Sequence, residues 1–246
     1  MYGDIPMRLL SIIIFSLLLS IPQEVVKRWP VVAAGSGCTS TTCGGLTFKQ
    51  GCNGLTASGT SVTCVFGPLT AGSVLIVTGG GELNSTTLTV SGCGLTWTNQ
   101  GTFSGSPSFL QATAPNSGTG SCTVTMSSTA TGILPVEGVE LAGSSSQLID
   151  VANLVNAGQV TTPSNISGTA IPTTVANDVV VQTVVGWATT GDVYTAGSGA
   201  IIYQGTANGL AFAFQWQKKA VAGSVNPNIT SDRTDFFIVG NLAVEP

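Results

Sequence analysis

The sequence predicts an all-β protein: an antiparallel β-sandwich of jelly-roll or immunoglobulin-like type, with a disulfide-rich N-terminal segment and an apolar leader helix. Three observations support this prediction. Strand-like runs recur about every ten to fifteen residues between Gly, Ser, Asn and Pro. No stretch after the leader shows a capped 3.6-residue apolar period. Six cysteines occur in the 246 residues, with no histidine.

Residues 1–34 form the leader. Arg8 precedes an apolar run over residues 9–21, which has the length of a signal-peptide core and is short for a membrane span. The small residues Val32, Ala33 and Ala34 offer a cleavage site, so we expect export through a cleaved signal peptide. The alternative is a retained hydrophobic helix that serves as an anchor or assembly element, and it is the only membrane contact the sequence predicts.

Residues 35–66 form a cysteine-rich segment, read as first strands or as an extension of a sandwich domain over residues 67–246. In an exported chain, six cysteines indicate up to three disulfides rather than a metal site, since the spacing lacks the paired knuckles of zinc modules. The preferred pairing is Cys38–Cys43, Cys52–Cys64 and Cys93–Cys122. The main alternative exchanges partners among the first four cysteines.

The strand candidates follow one another through the rest of the chain. In order they cover residues 46–49, 61–66, 73–78, 87–90, 95–98, 108–112, 122–126, 136–141, 178–185, 200–203, 210–217 and 235–239. The runs 122–126 and 210–216 alternate, which is typical of strands with one buried face. The runs 178–181 and 235–239 are continuously apolar, which predicts central strands covered on both sides. Residues 147–155 are ambiguous and allow a short helical turn, and 156–174 is the longest weakly patterned loop.

Charge excludes several classes of function. Lys and Arg number seven and Asp and Glu eleven, giving a net charge of −4. Three of the basic residues lie in the leader, so no basic face remains for nucleic acid. The absence of histidine rules out a Ser-His-Asp triad. A surface of hydroxyls and amides with few charges self-associates readily.

The carboxylates provide the remaining candidates for chemistry. Glu137 and Glu140 could act as a glycosidase pair only if a bulge at Gly138 re-aimed one of them, because residues three apart on a strand face opposite sides. Two oxygen-rich sets could hold calcium, and neither matches a known calcium loop. The sets are Asp150, Asp178 and Asp192, and Asn228, Asp232 and Asp235. We therefore predict no catalytic residue, no bound metal and no cofactor.

Aromatic side chains raise the alternative of sugar binding. Trp187 and Tyr194 flank a Gly/Thr-rich loop and are the best candidates for an exposed ligand-binding platform. Phe212, Phe214 and Trp216 alternate along one run and are expected to line the core.

From residue 74 onward, the order of features resembles exported bacterial β-sandwich modules of unassigned role. These features are an apolar strand over 73–77, a Gly/Thr/Trp segment over 90–98, the run 136–139, and a Thr-rich segment leading into an Asn-Asp strand over 173–181. The resemblance implies a sandwich and an extracellular setting. It provides no catalytic residues to transfer.

Together these observations predict a non-catalytic extracellular structural protein, a self-associating subunit of a surface filament, appendage or layer held by β-sheet contacts. Its partners would be copies of itself or other surface proteins. The alternative is a secreted carbohydrate-binding or adhesive module with glycan partners, and a secreted glycoside hydrolase ranks last.

Overall fold

The computed structural model describes residues 37–81, 86–104, 107–116, 118–143, 149–160, 165–186, 193–207, 210–233 and 235–246. The described residues form strands and no helix. The strands are β1 (Thr42–Cys43), β2 (Leu46–Pro68), β3 (Val74–Gly81), β4 (Leu88–Gly92), β5 (Thr98–Phe103), β6 (Ser108–Pro115), β7 (Ser121–Ala142), β8 (Ile149–Val160), β9 (Asn165–Ser167), β10 (Ile171–Thr173), β11 (Asp178–Gly186), β12 (Tyr194–Ala196), β13 (Ala200–Ala207), β14 (Leu210–Lys219), β15 (Gly223–Val225), β16 (Asn228–Ser231) and β17 (Asp235–Val244).

The first seven strands form one antiparallel sheet, here called the N-terminal sheet. Its order is β1-β2-β7-β3-β6-β5, and β4 pairs with β7 off this path. The cysteine-rich segment belongs to this sheet, because β2 pairs with β7 along most of its length. The expected boundary between residues 66 and 67 therefore falls inside β2.

Strands β2 and β7 fold back over their own sheet. A straight strand would separate Cys52 from Cys64 by roughly 40 Å, yet their Cα atoms lie 5.4 Å apart. A Cβ at Gly54 would come within 2.0 Å of the Thr63 carbonyl oxygen, so the two arms of β2 touch. The part of β2 that contains Cys64 and the part of β7 that pairs with it are here called the far arms. Together with β4, the far arms form a layer over the rest of the N-terminal sheet.

The second half of the chain builds the C-terminal sheet, with order β13-β14-β11-β17-β8. Two small sheets, β12-β16-β9 and β10-β15, contribute residues to the apolar clusters on its outer face. All pairings in these sheets are antiparallel. The crossing from one sheet to the other comes between β7 and β8.

A central core joins the two large sheets. Alternate residues of the inner strands point into it, including Val74 and Ile76 from β3 and Val179 and Val181 from β11. The residues between them point away: Leu75 and its neighbours fill a second cluster under the folded-back arms, and Val180 and Val184 pack beneath the small sheets. Strands β3 and β11 are buried at every residue, because each of their faces is covered.

The all-β antiparallel prediction is confirmed, and several local expectations are corrected. Residues 149–155 lie in β8 and form no helical turn, and the expected loop over 156–174 contains the end of β8 as well as β9 and β10. The candidate strand at 95–98 is wrong except for its last residue, since β5 begins at Thr98. The sequence patterns of these segments are weak, so pairing with distant strands determines their secondary structure. The leader lies outside the described residues, and no described helix is long and apolar enough to cross a bilayer.

Candidate functional site

All six cysteines form disulfides, and every bridge lies within the N-terminal sheet. The pairs are Cys38–Cys43, Cys52–Cys64 and Cys93–Cys122, the pairing preferred from the sequence. No free thiol remains for a zinc site. Three bridges fit an oxidising environment. The C-terminal sheet contains no cysteine and depends on packing for its cohesion.

The expected aromatic platform does not form around Tyr194. The Tyr194 side chain is buried, donates its hydroxyl to the Ala211 carbonyl at 3.2 Å and packs edge-on against Phe237. A ring enclosed in this way offers no face to a sugar, so the prediction of an exposed platform is wrong for Tyr194. Trp187 lies outside the described residues. The sugar-binding alternative now depends on Trp187, because the large apolar side chains exposed on the described surface are valines.

Phe212, Phe214 and Trp216 line the central core, as the alternation predicts. Trp216 also donates its indole N–H to the Thr39 carbonyl at 2.7 Å. This bond ties the start of the described chain to β14. The aromatic strand is therefore structural, and it joins the two halves of the molecule.

Glu137 and Glu140 point to opposite faces of β7. Glu140 is buried on the outer face, where its carboxylate accepts hydrogen bonds from the Gln50 amide at 2.7 Å and the Thr70 backbone N–H at 2.6 Å. Glu137 faces the C-terminal sheet, and no bulge interrupts the register around Gly138. The structure does not bring the two carboxyls together as a glycosidase pair.

A row of polar side chains crosses the N-terminal sheet on the face that meets the C-terminal sheet. The ladder registers place Asn53 beside Glu137, Glu137 beside Thr78, and Thr78 beside Gln111. We call these four residues the inner polar row. No sequence pattern predicts this row, because its members come from four different strands.

Three of the four members of the inner polar row, Thr78, Gln111 and Glu137, are buried, and their polar atoms are only partly hydrogen-bonded. Burial raises the pKa of Glu137 well above its usual range, and its Oε2 has no hydrogen-bond partner in the described structure. The Tyr203 hydroxyl donates to Asn53 Oδ1 at 3.1 Å. Gln111 donates to Thr183 Oγ1 at 3.2 Å, while its own Oε1 has no described partner. The row thus places a carboxyl group with a raised pKa beside a buried hydroxyl and a buried amide.

Two of the three residues in the first calcium set do meet. Burial raises the pKa of Asp150. Hydrogen bonds, including those from Thr174, outweigh the effect of burial, so the pKa is lowered overall. The Thr174 backbone N–H and hydroxyl each contact the Asp150 carboxylate at 2.5 Å. Burial, a hydrogen bond with Asp150 and the charges of Asp150 and Glu245 raise the pKa of Asp178 to about 7. Asp150 thus contributes to the raised pKa of its buried neighbour.

The other calcium candidates are not assembled into a site. Asp192 lies outside the described residues, and so does the side chain of Asp235. Asp232 accepts a hydrogen bond from the Val193 N–H and lies 3.8 Å from the Arg233 side chain at the surface. Across the described part of the chain, no group of three His, Cys, Asp or Glu side chains is placed to hold a metal ion.

The edges of the sheets form the most extensive candidate interaction surface. Strand β5 ends the N-terminal sheet, and β8 and β13 end the C-terminal sheet. Strands β5 and β13 contain no charged residue, and β8 contains only Asp150, near its start. Among the described residues, no strand pairs with their outer sides, although β5 lies close to β8 and β13 lies close to β2. Natural edge strands are usually protected by Lys, Pro or a bulge; β13 has a bulge near Ile201, but charge is missing.

Comparison with known proteins found no matching protein-family model, curated protein or solved structure.

Proposed function

We propose that this protein is a non-catalytic extracellular structural subunit that self-associates through its sheet edges into a filament, appendage or layer. The observation that carries the proposal is the charge-free edge strands β5 and β13. An unpaired edge presents backbone N–H and C=O groups to any strand that can align with it, and a Lys or Glu on the edge normally opposes this. Strands β5 and β13 contain no charged residue that would oppose such pairing.

The distribution of the few charges also supports association. Glu137, Glu140 and Asp178 are buried, so three acidic groups add nothing to surface repulsion. The exposed positions of β5 and of the far arm of β2 are largely hydroxyl-bearing, and Val65 is 60% exposed. Copies of this chain would therefore meet with little charge repulsion.

The finer aspects of the proposal concern architecture and location. The two large sheets that share the central core would form a β-sandwich of jelly-roll or immunoglobulin-like type. The leader would direct export and be cleaved, leaving the disulfide-bonded domain at the cell surface or outside the cell. Other surface proteins are the second class of partner.

The test places a positive charge on each edge. Thr206 in β13 and Thr102 in β5 are exposed, and Thr206→Lys and Thr102→Lys are expected to shift assembly to at least tenfold higher protein concentration. Thr123→Lys is the matched control, since Thr123 is exposed but lies on β7, between β2 and β4. Sedimentation velocity over a concentration series and electron microscopy measure the assembly.

A strictly monomeric wild-type protein at millimolar concentration would contradict the proposal. Equal weakening by all three lysine variants would also contradict it, because a lysine away from the edges would then have the same effect as one on them.

A further inference from the structure

Gln111 and Thr183 meet across the interface between the two large sheets. Gln111 lies on β6 in the inner polar row, and Thr183 lies on β11, next to Phe214 and Gly240 in the ladder. Both side chains are buried, at 0% and 1% exposure. We propose that these two side chains react to form an ester that joins the N-terminal sheet to the C-terminal sheet covalently.

The reacting atoms are already close. The Gln111 Nε2 and Thr183 Oγ1 atoms are 3.2 Å apart. Since an amide C–N bond is about 1.33 Å, the Gln111 Cδ lies within about 4.5 Å of the hydroxyl oxygen. A small rotation of the Gln111 side chain brings this carbon to the roughly 3–3.5 Å from which attack occurs.

Gly240 makes the close approach sterically feasible. A Cβ at this position would lie 2.6 Å from Gln111 Nε2, 2.6 Å from Thr183 Oγ1 and 3.0 Å from Gln111 Cδ. Only glycine leaves room for the amide and the hydroxyl together. The Gly240 carbonyl oxygen accepts a hydrogen bond from the Thr183 hydroxyl at 3.4 Å. This hydrogen bond turns a lone pair of the Thr183 oxygen toward the Gln111 amide.

The step balances without a co-reactant. The Thr183 oxygen adds to Gln111 Cδ, the new C–O bond forms and the Cδ–Nε2 bond breaks. The Thr183 proton leaves with the nitrogen as ammonia, which escapes to solvent and becomes protonated there.

The surroundings favour the product. Hydrolysis of an ester needs water, and both residues are buried in the contact between the sheets. The unpartnered Gln111 Oε1 would become the ester carbonyl oxygen, which tolerates a dry setting better than an amide does. The bond would also supply what the disulfides do not, a covalent link between the sheets.

Mass spectrometry of the full chain tests the proposal. The protein is purified from an oxidising compartment, digested, and searched for a peptide pair linked through residues 111 and 183 and lighter by one ammonia. Thr183→Val is expected to abolish the linked pair, and Thr183→Ser to retain it. Thr78→Val is the matched control: its hydroxyl donates to the Leu110 carbonyl instead, so the linked pair is expected to persist. Hydroxylamine should cleave the link.

Two results would overturn the proposal. One is separate, full-mass peptides carrying Gln111 and Thr183 in folded wild-type protein after prolonged incubation. The other is an ammonia loss that survives Thr183→Val and maps elsewhere in the chain. Far-UV circular dichroism of each variant verifies that the fold is intact, so a missing link is assigned to chemistry. Failure of this test leaves the edge-association proposal untouched, because that proposal does not need the ester.

Discussion

At the scale of single residues, three of the acidic side chains, Glu137, Glu140 and Asp178, are buried. Asp178 is buried on β11, with Lys219 opposite it in the ladder. Asp150 and Glu245 add negative charge to its surroundings, and its pKa rises to about 7. In the folded protein, Asp178 is therefore largely protonated below that pH, whereas in the unfolded chain it ionises near about 3.9.

The first prediction concerns Asp178→Asn. Because the folded-state pKa is raised, the folded protein binds more protons than the unfolded chain between about pH 4 and 7, so the free energy of unfolding falls as pH rises through this window. The total loss is at most about 4 kcal/mol, at about 1.4 kcal/mol per pKa unit. Asparagine can donate a hydrogen bond to Asp150 and does not ionise. In the Asp178→Asn variant, the free energy of unfolding should therefore lose the part of its pH dependence that Asp178 contributes.

Urea unfolding at pH 5 and pH 8.5 measures the difference, with the exposed Asp232→Asn as control. Glu137, whose pKa is also raised, imposes a slope of the same sign on all three proteins. An unchanged pH slope in Asp178→Asn would contradict the assignment.

At the scale of elements, the strand pattern was predictable where both faces are buried and hard to predict elsewhere. The continuously apolar runs 178–181 and 235–239 became β11 and β17, because a strand covered on both sides has no polar face to interrupt it. The runs 46–49 and 61–66 were predicted separately but belong to one strand, β2, that folds back. The short strands β9, β12, β15 and β16 have no pattern of their own and exist only through pairing.

The second prediction ranks the disulfides. In the chain-entropy description, a bridge stabilises the fold more when it closes a longer loop. The bridged residues are separated by 5, 12 and 29 positions for Cys38–Cys43, Cys52–Cys64 and Cys93–Cys122. Replacing each pair with alanine should cost about 2, 3 and 4 kcal/mol, in that order.

Chemical denaturation of the three double variants at one pH tests the order. Cys38–Cys43 as the most costly pair would show that native packing, and not loop closure, sets the contribution of these bridges.

At the scale of the whole molecule, each half of the chain builds one large sheet, and neither sheet can bury its inner face alone. The residues that fill the central core come from both halves, with Val74, Ile76 and Phe109 on one side and Phe214, Trp216 and Leu242 on the other. The Trp216 bond to Thr39 closes the same contact at one end. Folding should therefore be a single cooperative event for both sheets.

The third prediction follows from this shared core. A C-terminal fragment that begins at residue 149 should aggregate when produced alone, since its apolar inner face would be exposed to water. Co-expression with a fragment ending at residue 143 should recover soluble, paired halves, detected by co-purification through a tag on one half. As the matched control, Trp216→Ala in the C-terminal fragment should reduce recovery. A soluble, folded C-terminal fragment alone would contradict the prediction.

The sequence by itself determined the all-β class, the antiparallel pattern and the position of the doubly buried strands β11 and β17, and it favoured the disulfide pairing that the structure shows. These features depend on local alternation and on cysteine spacing along the chain. Tyr194 shows the limit, because a tyrosine near a Gly-rich loop has the same local sequence whether its ring is exposed or covered by another strand. Trp187 stays a prediction.

Only the tertiary structure decided which side chains meet across strands. The inner polar row, the proximity of Asp150 to Asp178, and the contact of Gln111 with Thr183 join residues that lie 25 to 84 positions apart. Register and the packing of one sheet on the other place them together, and neither is encoded in any short stretch of sequence. The same packing leaves β5, β8 and β13 as edges, which is why the surface proposed for association could not be recognised before the sheets were assembled.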